Sequence, residues 1–78
     1  MKDFLEYLLP YLADHPEKVS VVQSLDAAGL TSYQLSVDPL DMGKVIGRGG
    51  RIIKAIRDLT KILAVKQNTK VNVTLLEV

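Results

Sequence analysis

The sequence predicts an α+β fold whose elements run helix, strand, strand, helix, helix, strand. Three observations carry this. Apolar and polar residues alternate with a period of two over residues 31–37 and again from Lys70 onward, as half-buried strands require. A basic segment from about Gly50 to Gln67 repeats its apolar residues with the period of an amphipathic helix. Between that segment and a shorter apolar run lies Gly47-Arg48-Gly49-Gly50, a sharp turn joining two helices.

In chain order, Asp3 is positioned to cap a first helix with Phe4, Leu5, Leu8, Tyr11 and Leu12 on its apolar face. Pro10 removes the bond to the Glu6 carbonyl and crowds it, so a kink or a short angled turn is expected. His15-Pro16 ends the helix, because a residue before proline is pushed out of the α region. Val19 to Leu25 and Thr31 to Val37 read as strands joined by a connection at Asp26 to Leu30. Tyr33, Leu35 and Val37 face one side of the second strand, and Ser32, Gln34 and Ser36 the other. Asp38 caps a short helix that has Pro39 at its first position and Asp41 near its positive end, and that helix stops at Gly47. The long helix from about Gly50 to Gln67 carries Ile52, Ile53, Ile56, Leu59, Thr60 and Leu63 inward and Lys54, Arg57, Asp58 and Lys61 outward. Asn68 stops it, and Lys70 to Val78 forms the last strand.

A chain of 78 residues is read as one domain, residues 1–78, with a thin core of Val, Ile and Leu, since aromatics make up only 5%. With no cysteine there is neither a disulfide framework nor a thiolate metal site, and no apolar run reaches the ~18 residues of a membrane span. The expectation is a soluble cytoplasmic protein. Net charge is +1, but it is unevenly spread: residues 1–42 sum to −5 and residues 43–78 to +6. The glycine turn lies in the basic part.

That turn combines backbone N–H groups at a helix start with Arg48, Arg51 and Lys54, a setting suited to a phosphate. It is not a Walker A loop, because no glycine is followed by Lys and then Ser or Thr. It fails the dinucleotide fingerprint too, since Ile52 stands where the third glycine should be and a helix precedes it. The bland alternative is a helix-to-helix corner without a ligand. Three cations at and just after the turn favour a ligand, because a corner does not require them.

Val45-Ile46-Gly47-Arg48-Gly49-Gly50-Arg51-Ile52-Ile53-Lys54-Ala55-Ile56 resembles the signature of KH domains, whose Gly-x-x-Gly loop clamps about four nucleotides. Length, opening helix and element order are similar to the small stand-alone bacterial KH proteins of the KhpA type over the whole chain. The resemblance implies a type II KH domain, with a three-stranded mixed sheet and three helices packed on one face. It further implies single-stranded RNA, or less readily single-stranded DNA, bound by Lys44, Val45, Ile46, Gly47, Arg48, Gly49, Gly50, Arg51, Lys54 and Arg57. Val45, Ile46, Leu35 and Val37 are candidates for an apolar base groove, with a purely core role as the alternative. No aromatic residue lies near the loop, so modest affinity and loose sequence preference are expected. Two departures from the family pattern are Pro10 and Gly49, where a polar side chain is common. The family further implies RNA chaperoning or post-transcriptional control linked to cell elongation, cell shape and envelope or cell-wall biogenesis, with a larger KhpB/Jag-type KH protein as partner.

No catalysed reaction, cofactor or metal is expected. His15 is the only histidine and reads as a surface or capping residue, and capping accounts for Asp38 and Asp41. Ile62 and Val65 lie about 120° and 180° off the core face, with Ala55 beside Ile62, and mark a candidate dimer interface. A rival reading follows: a protein-interaction adaptor that uses the KH fold for dimerisation and binds little RNA.

Overall fold

A computed structural model describes residues 1–76 and gives α1 (Lys2–Leu12), β1 (Ser20–Leu25), β2 (Leu30–Ser36), α2 (Met42–Ile46), α3 (Arg51–Lys66) and β3 (Lys70–Leu75). The expected end of the last strand at 77–78 lies outside the described residues. Single 3-10 turns occupy Pro16–Lys18, Pro39–Asp41 and Arg48–Gly50. The sheet is mixed, in the order β1-β2-β3: β1 pairs antiparallel with β2 from Ser20 opposite Ser36 to Leu25 opposite Thr31, and β2 pairs parallel with β3 from Leu30 opposite Lys70 to Leu35 opposite Leu75. A parallel pair cannot be closed by a tight turn, so α2 and α3 form the crossover between β2 and β3. The glycine turn sits at the bend of that crossover.

One face of the sheet carries Val21, Tyr33, Leu35, Val73 and Leu75, which cluster with Leu5 and Leu9 of α1, Val45 of α2, and Ile53 and Ile56 of α3. All three helices therefore lie on this face, as expected. Val22, Gln34, Asn72 and Thr74 point the other way and are exposed. Each fully buried aliphatic side chain contributes about 1.5–3 kcal/mol, more than a surface ion pair at about 0–1 kcal/mol. Packing, rather than charge, holds the helices to the sheet.

Several local expectations need correction. Met1, not Asp3, occupies the N-cap of α1, and no side chain caps it; Asp3 lies in the first turn, where its charge still suits the helix dipole. Leu9, which the predicted face omitted, is fully buried beside Leu5, whereas Tyr11 is exposed and stacks obliquely on Tyr7 at a centroid distance of 5.3 Å. At 100° per residue Leu5, Leu9 and Leu12 share a face and Tyr11 falls roughly 120° away. Pro10 lies inside α1, two residues from its end, and the helix runs through it from Lys2 to Leu12 despite the bond lost at the Glu6 carbonyl. On α3 the buried residues are Ile53, Ile56, Thr60 and Ala64, while Ile52 and Leu59, expected inside, are exposed. The core arc of this helix is narrower than its apolar arc. Thr60 is tolerated within it because its hydroxyl donates to the Ile56 carbonyl at 2.7 Å.

The helix stop at Asn68 is as expected. Asn68 takes a left-handed φ of 55°, its N–H donates to the Val65 carbonyl, and Thr69 N–H donates to the Ala64 carbonyl, which is the Schellman pattern.

Candidate nucleic-acid interface

Helix α2 has only five residues and contains a glycine, so its own propensity would not sustain it. It persists because Val45 is 0% exposed in the core and Met42 and Ile46 pack against the same cluster. Val45, Leu35 and Val37, named as base-groove candidates, are buried and hold the sheet to the helices; their side chains are closed to a ligand here. Ile46 is half-buried and keeps an accessible edge next to the turn.

Gly47 N–H closes α2 by donating to the Gly43 carbonyl at 2.9 Å, and Gly47 then takes φ 76°, ψ 176°, a region essentially confined to glycine. A Cβ there would also sit 2.6 Å from Ile52 Cγ1, so glycine is required twice over. Gly50 N–H donates to the Gly47 carbonyl at 3.2 Å and Arg51 N–H to the Arg48 carbonyl. Neither the Arg48 nor the Gly49 N–H, between them, donates to a side chain or to a backbone carbonyl outside the helical segments among the described residues. Gly49, at φ 61° and ψ 21°, has open space around it and is exposed. The turn is thus exposed at Arg48 and Gly49, at the start of a 16-residue helix that no side chain caps.

The predicted cations divide into two groups. Arg48 and Arg51 are exposed and form no ion pair among the described residues. Lys54 is exposed and makes only a loose contact with Asp58 at 3.8 Å, one turn along α3. Lys44 and Arg57 are engaged elsewhere. Lys44 Nζ binds the Asp14 carboxylate, which also raises the lysine pKa. Arg57 Nε donates to the Val73 carbonyl at 3.1 Å, on the edge strand of the sheet.

Of the three candidate dimer residues, Ile62 and Val65 are 56% and 75% exposed and Ala55 is exposed too. Ile52 and Leu59 join Ala55 and Ile62 in an exposed stripe with the 3-4 spacing of a helix-pairing seam, which sequence reasoning missed by assigning those two residues to the core. His15, expected as a surface or capping residue, is partly exposed at the N-cap position of the Pro16–Lys18 turn, and it also bonds Asp41 by its backbone N–H at 2.9 Å and by ring Nδ1 at 3.1 Å. Asp38 is the cap of the turn, accepting from Leu40 N–H at 2.8 Å, whereas Asp41, 1% exposed, stands at the N-cap position of α2 but makes no side-chain capping bond. No spacing in the sequence signals a pairing across 26 residues. Among the described residues no helix is long and apolar enough to cross a membrane, and no group of three or more metal-ligating side chains occurs.

Comparison with known proteins agrees with this geometry. A family model described as KhpA/KhpB, KH domain, matches residues 2–75. A Chlamydia caviae protein named RNA-binding protein KhpA is 42% identical over 99% of this chain and 97% of its own length. Proteins of the same name from Clostridium perfringens and Listeria monocytogenes are 45% and 39% identical, over 97% and 99% of this chain and 100% of their own lengths. No solved structure matches. On the family match and these full-length likenesses, the chain belongs to the KhpA/KhpB KH-domain family, which is not an enzymatic one.

Proposed function

We propose that this protein binds single-stranded RNA through the Gly47–Gly50 turn and acts in the cytoplasm as an RNA chaperone or post-transcriptional regulator. The observation that carries the reading is the exposed glycine-turn backbone at Arg48 and Gly49, at the uncapped start of α3 and flanked by the unengaged guanidinium groups of Arg48 and Arg51. Such a nest suits a phosphodiester, with backbone donors at close range and mobile cations around it. Lys54 adds charge one turn along α3, and Ile46 offers the apolar edge against which a base can lie. Lys44 joins only by leaving Asp14, and Arg57 only by leaving Val73. Relatives named RNA-binding proteins over their full length support the same reading. Family resemblance adds a link to cell elongation and envelope synthesis and a larger KhpB/Jag-type partner.

The test is anisotropy of a fluorescent single-stranded RNA across a salt series, for the native chain and for Arg48→Asp combined with Gly49→Asp. Aspartate tolerates the left-handed conformation of position 49, so the fold should survive, and circular dichroism checks it. Loss of binding by a folded variant supports the reading, and equal binding by both proteins refutes it.

A second reading rests on the exposed stripe Ile52, Ala55, Leu59 and Ile62, with Val65 at its margin. The protein would then be an adaptor that pairs through α3 with a copy of itself or another KH protein. Pairing is compatible with RNA binding and would bring two turns to one strand, raising avidity. Ile62→Asp separates the cases. An adaptor loses all activity with assembly, whereas an RNA-binding chain retains weak binding as a monomer.

A further inference from the structure

Asp41 stands immediately ahead of α2, buried, with one carboxylate oxygen bonded to His15 and the other, Oδ1, without a hydrogen-bond partner among the described residues. Burying a carboxylate is costly unless the surroundings satisfy it, so its presence here asks for a role. Although Asp41 stands at the N-cap position of α2, its side chain makes no capping bond to that helix. What Asp41 does is join the exit of α1 to the entrance of α2, and Asp14 repeats the link one turn further on by binding Lys44. Both links grip the helix whose other end is Gly47.

Resting on the RNA-binding reading of the turn, we infer that His15 and Asp41 are positioning residues for the glycine loop, and that protonation of His15 tightens their hold on α2 and strengthens RNA binding. The imidazole is 39% exposed, so it exchanges protons with solvent while bonded to a buried partner. Its pKa is raised above the ordinary 6.5 chiefly by the hydrogen bond to Asp41, against the opposing effect of burial, and further by the charges of Asp41, Asp38 and Glu17. For Asp41, burial acts upward and is outweighed by the His15 and Asp14 backbone N–H groups and the His15 ring, so its pKa is lowered. Lys44 is the remaining charged group coupled to Asp41, and it is paired with Asp14.

The sign follows from these directions. A raised histidine pKa gives a contribution fully present below pH 6.5 and lost as pH rises through the folded-state value. A lowered aspartate pKa gives one present above pH 3.8 and lost only in stronger acid. The ion pair is therefore fully formed between these limits. The backbone bond from His15 does not depend on the protonation of its ring and keeps α2 attached above them. By linkage, a loop that needs the hold must bind RNA more tightly as His15 protonates.

The experiment measures two quantities from pH 5.5 to 8 at constant ionic strength: hydrogen-exchange protection of the Gly47 amide without RNA, and affinity for a fluorescent oligouridine. The native chain, His15→Gln and Asp41→Asn are compared. In the native chain both quantities should fall together by about fivefold as pH rises, and both variants should stay flat near the native values at pH 8. A native chain flat in pH overturns the inference, as does a His15→Gln variant that keeps the dependence. Affinity that follows pH while Gly47 protection does not would mean that His15 acts as a bare charge on the RNA, and also overturns it. If no chain binds RNA at any pH but Gly47 protection tracks His15, the RNA-binding reading fails while the mechanical link between His15 and the loop stands.

Discussion

The two ends of α2 are built on opposite lines. Its entrance is doubly tied, with buried Asp41 held by His15 and exposed Lys44 by Asp14, and its middle is pinned by Val45. Its exit is open, with three glycines at positive φ in four residues, exposed backbone at Arg48 and Gly49 and no tethering side chain. A backbone that must approach a phosphate cannot be covered by its own side chains. A loop left bare also cannot hold its own geometry. The difference teaches that the order of the turn is imposed from its flanks, through α2 on one side and α3 on the other, so that glycine can stay where the ligand sits.

The largest break in this comparison is at the open end. Arg48→Asp with Gly49→Asp should lower RNA affinity on the order of 100-fold, as expected when charge-assisted contacts worth about 1.5–3 kcal/mol are lost. The melting temperature should change little. Next comes Gly47→Ala, which forces a Cβ to 2.6 Å from Ile52 Cγ1 in a conformation that only glycine readily adopts. It should cost about 1–3 kcal/mol of stability, read by chemical denaturation. Gly49→Asn, two residues later, should cost about 1 kcal/mol or less, because asparagine tolerates the left-handed region and nothing crowds the site. If Gly47 and Gly49 proved equally sensitive, the distinction between a packed and an open glycine would be wrong. The smallest effect is at the closed end. Asp14→Asn gives up one of the two ties on α2, leaves the His15–Asp41 tie in place and frees Lys44 for phosphate, so RNA affinity should rise a few-fold.

The salt series sharpens the same contrast. Counting every cation of the predicted site would give a slope near −3.5 for log affinity against log salt, at about −0.7 per phosphate contact for a single strand. With Lys44 on Asp14 and Arg57 on Val73, three cations remain, and about −2 is expected for the native chain. Asp14→Asn should steepen that slope by about 0.7.

Much of the fold was legible because its signals are local. The alternation of Tyr33 and Leu35 with Gln34, the cap at Asp38, the stop at Asn68 and the glycine turn each declare themselves within a few residues. The candidate cations were legible as charges, but their engagements were not. Arg57 meets Val73 across 16 residues, Lys44 meets Asp14 across 30, and His15 meets Asp41 across 26, and nothing in residue spacing encodes such encounters. Ile52 and Leu59 were misplaced for another reason. Helical periodicity identifies an apolar arc but not how much of it the sheet covers, and on α3 the sheet covers the arc from Ile53 to Ala64 while leaving Ile52, Leu59 and Ile62 outside. The same uncertainty exchanged Tyr11 for Leu9 on α1.

The most direct test of the central claim is a titration of the ¹⁵N-labelled protein with a short single-stranded RNA, following the backbone amides of Arg48 and Gly49. The account predicts that these two resonances shift first and furthest, with Gly50 and Arg51 next and the amides of Gln67 to Thr69, at the far end of α3, unmoved. Saturation with RNA that leaves Arg48 and Gly49 in place while shifting the Ile52–Ile62 stripe or another surface would contradict it.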